Sequence, residues 1–584
     1  MRLMWLQIPD ALGEPVRACR RHFLLAAGFS ALINILYLAP TIYMMQVYDR
    51  VVPTGGLMTL YWITLIVAVA IGVLAALDAA RVRLMMRASL RLDRLLAPMI
   101  LDRSLLQARR GADIPPGAEA MRQFDVLRQA LSGPAMLAIM DAPWAPLYLV
   151  VAFIIHPLLG AIVVAGAAIL VVLAKGNERH NKLSAARAHD AMASAYASQE
   201  ASYREAEIVR TLGMRRALVA RHGEERRAGF GASLETQFSG SRYNALVKFV
   251  RMFMQSFALG AGAWLAVKGE ISIGAIIAAS VLLSRALQPI EQLVTSWPQI
   301  AQARKAVGTI ETLFDATGSA TERRTALPDP TGHIELDRVV VQSPDGAAAL
   351  LKSVSFSLAP GQLLGIIGPS GAGKTTLARV ICGAIAPDLG EARLDGANIA
   401  LWDPETLAAH VGYLPQTCSL LPGTVAENIS RFAVAGASST HPIDAEVVRA
   451  AKMAGVHDTI LRLPHGYDTR LAGPGGHTLS VGQAQRIALA RALYGNPRVL
   501  VLDEPNSALD AEGEEALKRA VAAARLNGAA VAIVAHRSSA LAAADLLLVL
   551  SDGAVALFGP RNEVLEELAR RTAKTTVVPL KERA

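Results

Sequence analysis

The 584-residue chain contains only three cysteines, Cys19, Cys382 and Cys418, far apart from one another. They make no C-x-x-C pair and no metal-ligand spacing, which excludes a disulfide framework and a cysteine-built zinc site and leaves small reduced core residues. Charge is scarce too. Asp, Glu, Lys and Arg make up 18% of the chain, against roughly 25% in an ordinary globular domain. With 53% hydrophobic residues and a mean hydropathy of +0.35, a soluble protein of this size is excluded and membrane segments are expected. Acidic residues are outnumbered, 49 against 58 basic ones, for a formal charge of +9. Such an excess suits nucleic acid or a membrane surface, and only its placement decides between them.

The apolar residues are gathered into six long runs. The first, from Phe23 to about Met45, follows Arg17, Arg20 and Arg21. It is long enough to cross a bilayer, and no small-residue cleavage site marks a removable signal peptide, so it reads as the first transmembrane helix. The others are roughly 57–77, 134–155, 158–174, 245–267 and 271–287, the third and fourth separated only by His156 and Pro157. Three hairpins leave both ends of the chain on one side. Ten arginines lie between Arg81 and Arg128, and 175–243 is similarly basic, whereas the opposite turns carry only Asp49, Arg50, Lys268 and Glu270. By the positive-inside rule both long loops and both termini are cytoplasmic. The basic excess therefore orients a membrane domain, and no nucleic acid is needed to explain it.

Segments 78–132 and 175–243 are rich in Ala, Arg, Glu and Leu, a helical composition, so the spans are expected to continue well into the cytoplasm. A short transverse helix is expected at each tip, near 120–128 and 204–214. Asp141 is read as an interfacial helix cap ahead of Pro143 and Trp144, with a functional role as the competing reading. Asn34 in the first span is read as a helix–helix hydrogen bond. No other ionisable residue is read in mid-span, which argues against ion coupling.

Residues 315–333 lose the apolar pattern and gain Thr, Pro, Gly and charge, as a linker does. Beyond it the chain reads as α/β. The apolar strand Gln362–Ile367 runs into Gly368, Pro369, Ser370, Gly371, Ala372, Gly373, Lys374, Thr375 and Thr376, followed by a helix start. Strand, glycine-rich loop, Lys-Thr and helix form a P-loop in its required context. Backbone N–H groups of such a turn, with the positive end of the next helix, cradle phosphate oxygens. Lys374 would reach the β- and γ-phosphates of a nucleoside triphosphate, and Thr375 would complete the shell of a Mg²⁺ ion. A second apolar strand, Val499–Leu502, ends in Asp503 and Glu504. Asp503 is placed to hold the Mg²⁺ through water, and Glu504 to orient or deprotonate the attacking water. Gln416 could reach metal and water from a neighbouring loop. A third buried strand, Val531–Ala535, ends in His536, which could contact the γ-phosphate.

Leu479, Ser480, Val481, Gly482 and Gln483 resemble the LSGGQ signature of ATP-binding-cassette proteins, with Val481 in the third position. The string around it to Ala492, and Ser507–Asp510, are similar to that family as well. The resemblance covers 334–564 and implies that Ser480, Gly482, Gln483 and Asp510 complete the ATP site of a second subunit. Two chains must then pair, most simply as a C₂ homodimer. One departure concerns adenine, which family members stack on an aromatic residue 25–35 positions before the P-loop lysine. Here that stretch, 339–345, holds none.

Six spans with long cytoplasmic extensions ahead of one cassette resemble an exporter half-transporter. Gln46–Pro53, Asp141–Tyr148, His156–Gly160 and Ala206–Met214 look like the type I secretion permease/ATPases, closest to the PrtD-like protease and lipase exporters. The expected architecture is a cytoplasmic segment (1–22), an all-α six-span domain (23–314), the linker (315–333), an α/β P-loop cassette (334–564) and a tail (565–584). With some 20 residues ahead of the first span, no N-terminal peptidase-like domain is expected. The resemblance implies an ATPase of the bacterial inner membrane that exports unfolded polypeptides bearing a C-terminal signal. Its partners would be membrane lipid, a periplasmic adaptor, a TolC-type outer-membrane channel and the secreted protein. ATP binding would close the cassettes, the transverse helices would pass that closure to the spans, and hydrolysis would reset the dimer. Two readings compete: a lipid or small-molecule exporter of the same architecture, and a cassette ATPase acting on nucleic acid, for which six spans have no use.

Overall fold

The computed structural model describes residues 2–3, 6–7, 10–107, 116–317, 327–343, 346–433, 445–471, 476–535 and 542–576. The chain divides into a helical unit, Met1–Glu322, and a sheet-containing unit, Arg323–Ala584. Its three cysteines are free thiols.

In the helical unit, a short helix α1 (Asp10–Ala18) precedes α2 (Arg20–Leu36) and α3 (Ala39–Gln46). The first expected span is thus broken by a turn, with Pro40 opening the second piece. There follow α4 (Leu57–Gln107), α5 (Pro116–Ser132), α6 (Pro134–Asp141), α7 (Ala145–Ile155), α8 (Pro157–Arg204), α9 (Ala206–Thr211), α10 (Arg215–Val267) and α11 (Ile273–Thr317). Among the described residues six helical segments are long and apolar enough to cross a membrane, one for each expected span, the sixth beginning at Ile273 rather than at 271. The protein is a multi-pass membrane protein.

The long extensions follow from helical composition, which carries the helices through Pro98, Pro289 and Pro298. α4, α8, α10 and α11 have 51, 48, 53 and 45 residues, and at 1.5 Å per residue the longest reaches on the order of 80 Å. The expected short helix near 204–214 is α9. The one expected near 120–128 is instead part of the 17-residue α5. It buries Phe124 and Leu127 against α4 and α11, because its apolar positions recur on one helical face.

Asp141 departs from its expected role. It ends α6, and its side chain makes no cap bond where the 3₁₀ turn Ala142–Trp144 begins. Its carboxylate accepts from Arg81 Nη1 at 2.7 Å and from Asn34 Nδ2 at 3.1 Å. Arg81 also donates to Ser30 Oγ at 2.8 Å and to Asp78 at 2.7 Å, and the Tyr148 hydroxyl donates to Asn34 Oδ1 at 2.9 Å. A buried charge is tolerated when paired in this way. The expectation of no further ionisable residue within the spans is also corrected. Arg251 of α10 pairs with Glu291 of α11 at 2.8 Å, and Arg285 lies over the Tyr37 ring at 4.0 Å. On the turn side, Asp49 caps α11 by accepting from Gly274 N at 2.7 Å.

The second unit carries two larger sheets beside a two-stranded pairing of Gly423–Thr424 with Arg470–Leu471. An antiparallel one has the order β2-β1-β4-β5, from β1 (Ile334–Gln342), β2 (Ala349–Leu358), β4 (Leu389–Leu394) and β5 (Ala397–Asn398). The other has the order β10-β9-β3-β8-β7-β6. It is built from β3 (Leu363–Ile367), β6 (Val411–Leu414), β7 (Val499–Asp503), β8 (Ala530–Val534), β9 (Leu546–Ser551) and β10 (Ala554–Pro560). β3, β6, β7, β8 and β9 run parallel. Their near-continuous apolar runs fit a sheet covered on both faces. Alternate residues serve alternate cores: Leu500 and Leu502 face one, Val499 and Val501 the other.

Candidate functional site

Because β3, β8, β7 and β6 are parallel neighbours, their C-terminal ends open on one edge of the sheet. That edge is where open α/β sheets bind ligands. The P-loop follows β3, Asp503 and Glu504 end β7, and Gln416 follows β6, exposed to solvent. The topology thus gathers residues separated by up to 136 positions in sequence. β8 ends beside them, while His536 lies outside the described residues.

Two glycines define the loop's shape. Gly368 has φ +156, and a Cβ there would lie 2.2 Å from the Leu550 carbonyl; Gly373 has φ +94, and its Cβ would lie 2.7 Å from the Leu350 carbonyl. Neither position tolerates a side chain, so the loop is pressed between β9 and β2 with its exposed face at Ser370 and Gly371. Ala372 and Lys374 are buried beneath it. Gly373 caps α12 (Lys374–Ile381), and Thr375 and Thr376 sit in its first turn. Lys374 Nζ donates to the carbonyls of Gly368 (2.9 Å) and Pro369 (2.8 Å), folding the ammonium over its own loop.

Asp503 is fully buried at the end of β7, and both carboxylate oxygens lack a hydrogen-bond partner among the described residues. Burial pushes its pKa up and the charge of Glu504 adds to this, while Thr375, Arg379 and Lys374 pull it down. A buried carboxylate with idle oxygens beside a hydroxyl fits a divalent cation. Among the described residues no group of three or more His, Cys, Asp or Glu could cage one. That suits Mg²⁺, which takes one or two protein ligands and the phosphates of its substrate.

Glu504 adopts left-handed backbone, φ 51, and its N–H donates to the Val534 carbonyl at 3.0 Å. A non-glycine residue held there costs on the order of 1–3 kcal/mol and persists only where its surroundings impose it.

The signature residues open α13 (Val481–Leu493). Ser480 and Gln483 form a reciprocal capping box, Ser480 Oγ accepting from Gln483 N at 3.2 Å and Gln483 Oε1 from Ser480 N at 3.0 Å. The next residue, Val481, is 74% exposed. A Cβ on Gly482 would lie 2.9 Å from the Ala508 carbonyl, so α13 packs directly on the loop after Glu504. Asp510 caps α14 (Ala511–Leu526), accepting from Gly513 N at 2.8 Å, and pairs with Arg486 of α13. The Gly513 N–H and the Arg486 guanidinium together hold its carboxyl below the usual range.

Sequence reasoning assigned no role to three residues that organise this site. Gln485 grips the loop after Glu504, donating to the Pro505 carbonyl at 2.8 Å and accepting from Ala508 N at 3.1 Å. Arg486 joins α13 to Asp510. Arg431 ties the β6 end to the α13 end through the carbonyls of Val411 (3.2 Å), Arg491 (3.1 Å) and Tyr494 (3.3 Å). Gln485 and Arg431 bond mainly to backbone, which leaves no complementary side chain to notice in a sequence, whereas Arg486 has its partner in Asp510, 24 positions away.

A family model described as "ABC transporter" matches residues 351–507. A second, described as "ABC transporter transmembrane region", matches 23–290. The chain is 40% identical over 559 residues to the type I secretion system ATP-binding protein PrsD of Rhizobium meliloti (strain 1021), covering 95% of this chain and 94% of that one. It is 30% identical over 545 residues to the cyclolysin secretion/processing ATP-binding protein CyaB of Bordetella pertussis, covering 92% and 75%. Among solved structures, a bacterial Atm1-family ABC exporter with ATP bound matches with a TM-score of 0.79 over 96% of this chain and 99% of that one. At 24% identity, that likeness is one of fold.

Proposed function

Since the chain belongs to the ABC transporter family and is an ATPase of its type I secretion class, we propose that it energises the export of unfolded polypeptides bearing a C-terminal secretion signal. The observation that carries this reading is the extent of the similarity to a type I secretion protein, 559 residues spanning both units rather than the cassette alone. The ATPase unit and both termini face the cytoplasm, and the spans cross the bacterial inner membrane. A periplasmic adaptor and a TolC-type outer-membrane channel complete the path.

In this reading Gly368–Thr376 wraps the triphosphate, and phosphate oxygens replace the Gly368 and Pro369 carbonyls as partners of Lys374. Thr375, Gln416 and Asp503 hold a Mg²⁺, which when bound neutralises charge on the β- and γ-phosphate oxygens. Glu504 orients and deprotonates the attacking water, its backbone pinned to β8, and His536 contacts the γ-phosphate. Ser480, Gly482, Gln483 and Asp510 act on the nucleotide of a second copy. The capped helix start with exposed Val481 beside it suits a surface that closes on a partner. ATP then favours the closed homodimer because its phosphates gain contacts present only in that state.

The test is secretion itself. The chain is co-expressed with candidate adaptor and channel, and the medium is assayed for a protein whose appearance requires ATP hydrolysis. Stimulation of the ATPase by lipids or drugs, with none by a secretion-signal peptide, would overturn the polypeptide reading.

A further inference from the structure

Past the end of its apolar run, α4 carries a stripe of four arginines. Arg83, Arg87, Arg91 and Arg94 follow one another at spacings of four, four and three, which sets them on one helical face, and all four are exposed. Met85, Ala88, Leu92 and Leu96 form a different, buried face. Like charges four residues apart on a helix repel, and the acids of the same stretch do not offset them. Asp78 pairs with Arg81 at 2.7 Å and Asp93 with Arg128 at 3.6 Å. Among the described residues no ion pair engages any arginine of the stripe.

The stripe meets a second basic group. Cys19, at the corner between α1 and α2, sets its Sγ 3.8 Å from the Ala88 carbonyl oxygen. Burial pushes the pKa of the Cys19 thiol up, and the nearby Arg91 charge draws it back. Arg20 and Arg21, the next two residues, are exposed as well. One level of the molecule thus gathers Arg20, Arg21, Arg87 and Arg91. Its place relative to the bilayer follows from the first apolar run, which begins at Phe23, four residues after Cys19. Four helical residues span about 6 Å, the depth of one headgroup layer. Apolar side chains that also face outward are interleaved with the arginines. Leu24 and Leu25 on α2, and Met86 and Leu90 on α4, are each more than half exposed.

We propose that this corner binds an anionic phospholipid of the phosphatidylglycerol class by its phosphate. Guanidinium groups donate in pairs to phosphate oxygens, and a phosphate among them relieves the repulsion they otherwise exert on one another. The exposed leucines and methionine beside them suit the acyl chains, which a free phosphate or an acidic peptide lacks. Arginines spread evenly around the cytoplasmic rim would orient the spans equally well. Gathered on two adjacent elements at headgroup depth, they also make a site. A lipid held there bridges the α1–α2 corner to α4 and seats the first span against the second. The inference goes beyond the export reading and holds whatever cargo the spans carry.

The test uses the full-length protein, stripped of lipid in detergent and titrated with fluorescently labelled phosphatidylglycerol or, in parallel, phosphatidylcholine. We expect R87Q/R91Q and R20Q/R21Q each to weaken phosphatidylglycerol binding about thirtyfold, the effect of removing two charges near an anionic membrane surface. R87K/R91K keeps the charges and should retain most of the affinity. R215Q/R216Q removes two exposed arginines at the start of α10, outside the corner, and should bind as the wild type does. Glycerol phosphate, which has the headgroup chemistry without acyl chains, should not displace the lipid. Wild-type affinity in both glutamine pairs overturns the proposal, as does equal binding of phosphatidylcholine or an equal loss in R215Q/R216Q. Displacement by glycerol phosphate would make the corner a free-phosphate site and overturn the lipid. Dimers lost in the glutamine pairs with lipid binding intact would overturn it too, making the stripe a contact with a second copy.

Discussion

Arg81 and Asp141, on two different helices, form a 2.7 Å ion pair whose side chains are 7% and 17% exposed. Breaking a pair so shielded strands a charge, at a cost of about 3–5 kcal/mol, whereas replacing both partners by apolar residues of similar size is often neutral. R81M and D141L should each lower the thermal unfolding midpoint markedly in detergent, and the R81M/D141L double variant should recover most of the loss. Additive losses in the double variant would mean the pair acts through something other than mutual charge compensation.

Much of this molecule was legible from sequence, and the boundary of legibility has a physical cause. The P-loop, the β7 carboxylates and the six spans announce themselves through local patterns, a loop beside its own strand and helix or an uninterrupted apolar run. Asp141 was misread because its partner lies 60 positions away, on a helix whose facing no local pattern reveals. Gln485 and Arg431 were missed because they bond to carbonyls, which every residue has. The backbone of Glu504 is left-handed and its N–H bonds to Val534 of β8, a neighbour that only the sheet order supplies. The α5 helix was underestimated because its stabilising contacts are tertiary.

In the proposed function Glu504, at the end of β7, acts on water beside the P-loop. Glu504→Gln keeps the size and loses the basicity, so steady-state ATPase should fall roughly 10²–10⁴-fold, the usual worth of a positioned base. Nucleotide affinity should remain near wild type in an equilibrium titration. Wild-type turnover in E504Q would remove Glu504 from the chemical step.

Ser480 caps α13 and is also proposed to meet the nucleotide of a second chain, and two substitutions separate these roles. Alanine at an N-cap costs about 1 kcal/mol, glycine only a few tenths. S480G should therefore unfold close to wild type yet lose most of its ATPase, while S480A should lose both stability and activity. If S480G kept full ATPase, the serine would be a cap and nothing more.

The carboxylate of Asp395 accepts from the Thr331 N–H and hydroxyl, the latter at 2.7 Å, from His333 N at 2.9 Å and from Gly332 N at 3.3 Å. Burial raises its pKa, but these bonds outweigh it and leave the group below the usual aspartate range. A carboxyl lowered on folding stabilises the folded state fully above the unfolded value near 3.9, and that stability is lost as pH falls through the lowered value. D395N should thus unfold more readily than wild type at pH 7, and the gap should close on acidification toward pH 3. A gap of constant size would assign the difference to shape instead of charge.

The hairpin joining β1 and β2 borders the P-loop, since a Cβ on Gly373 would press on the Leu350 carbonyl at 2.7 Å. It closes with Ser343 N donating to the Ala348 carbonyl at 2.7 Å and Gly346 N to the Ser343 carbonyl at 2.8 Å, and the whole stretch 342–348 contains no aromatic residue. Stacking of a base on an aromatic ring is worth about 1–3 kcal/mol, a contribution that this hairpin does not supply. ATP and GTP should then be hydrolysed with kcat/KM values within about tenfold of one another. Ser343→Tyr offers the missing ring and should tighten ATP binding about fivefold, the low end of that stacking energy, leaving kcat unchanged. A strong wild-type preference for ATP, untouched by S343Y, would instead place base recognition on a side chain outside this hairpin.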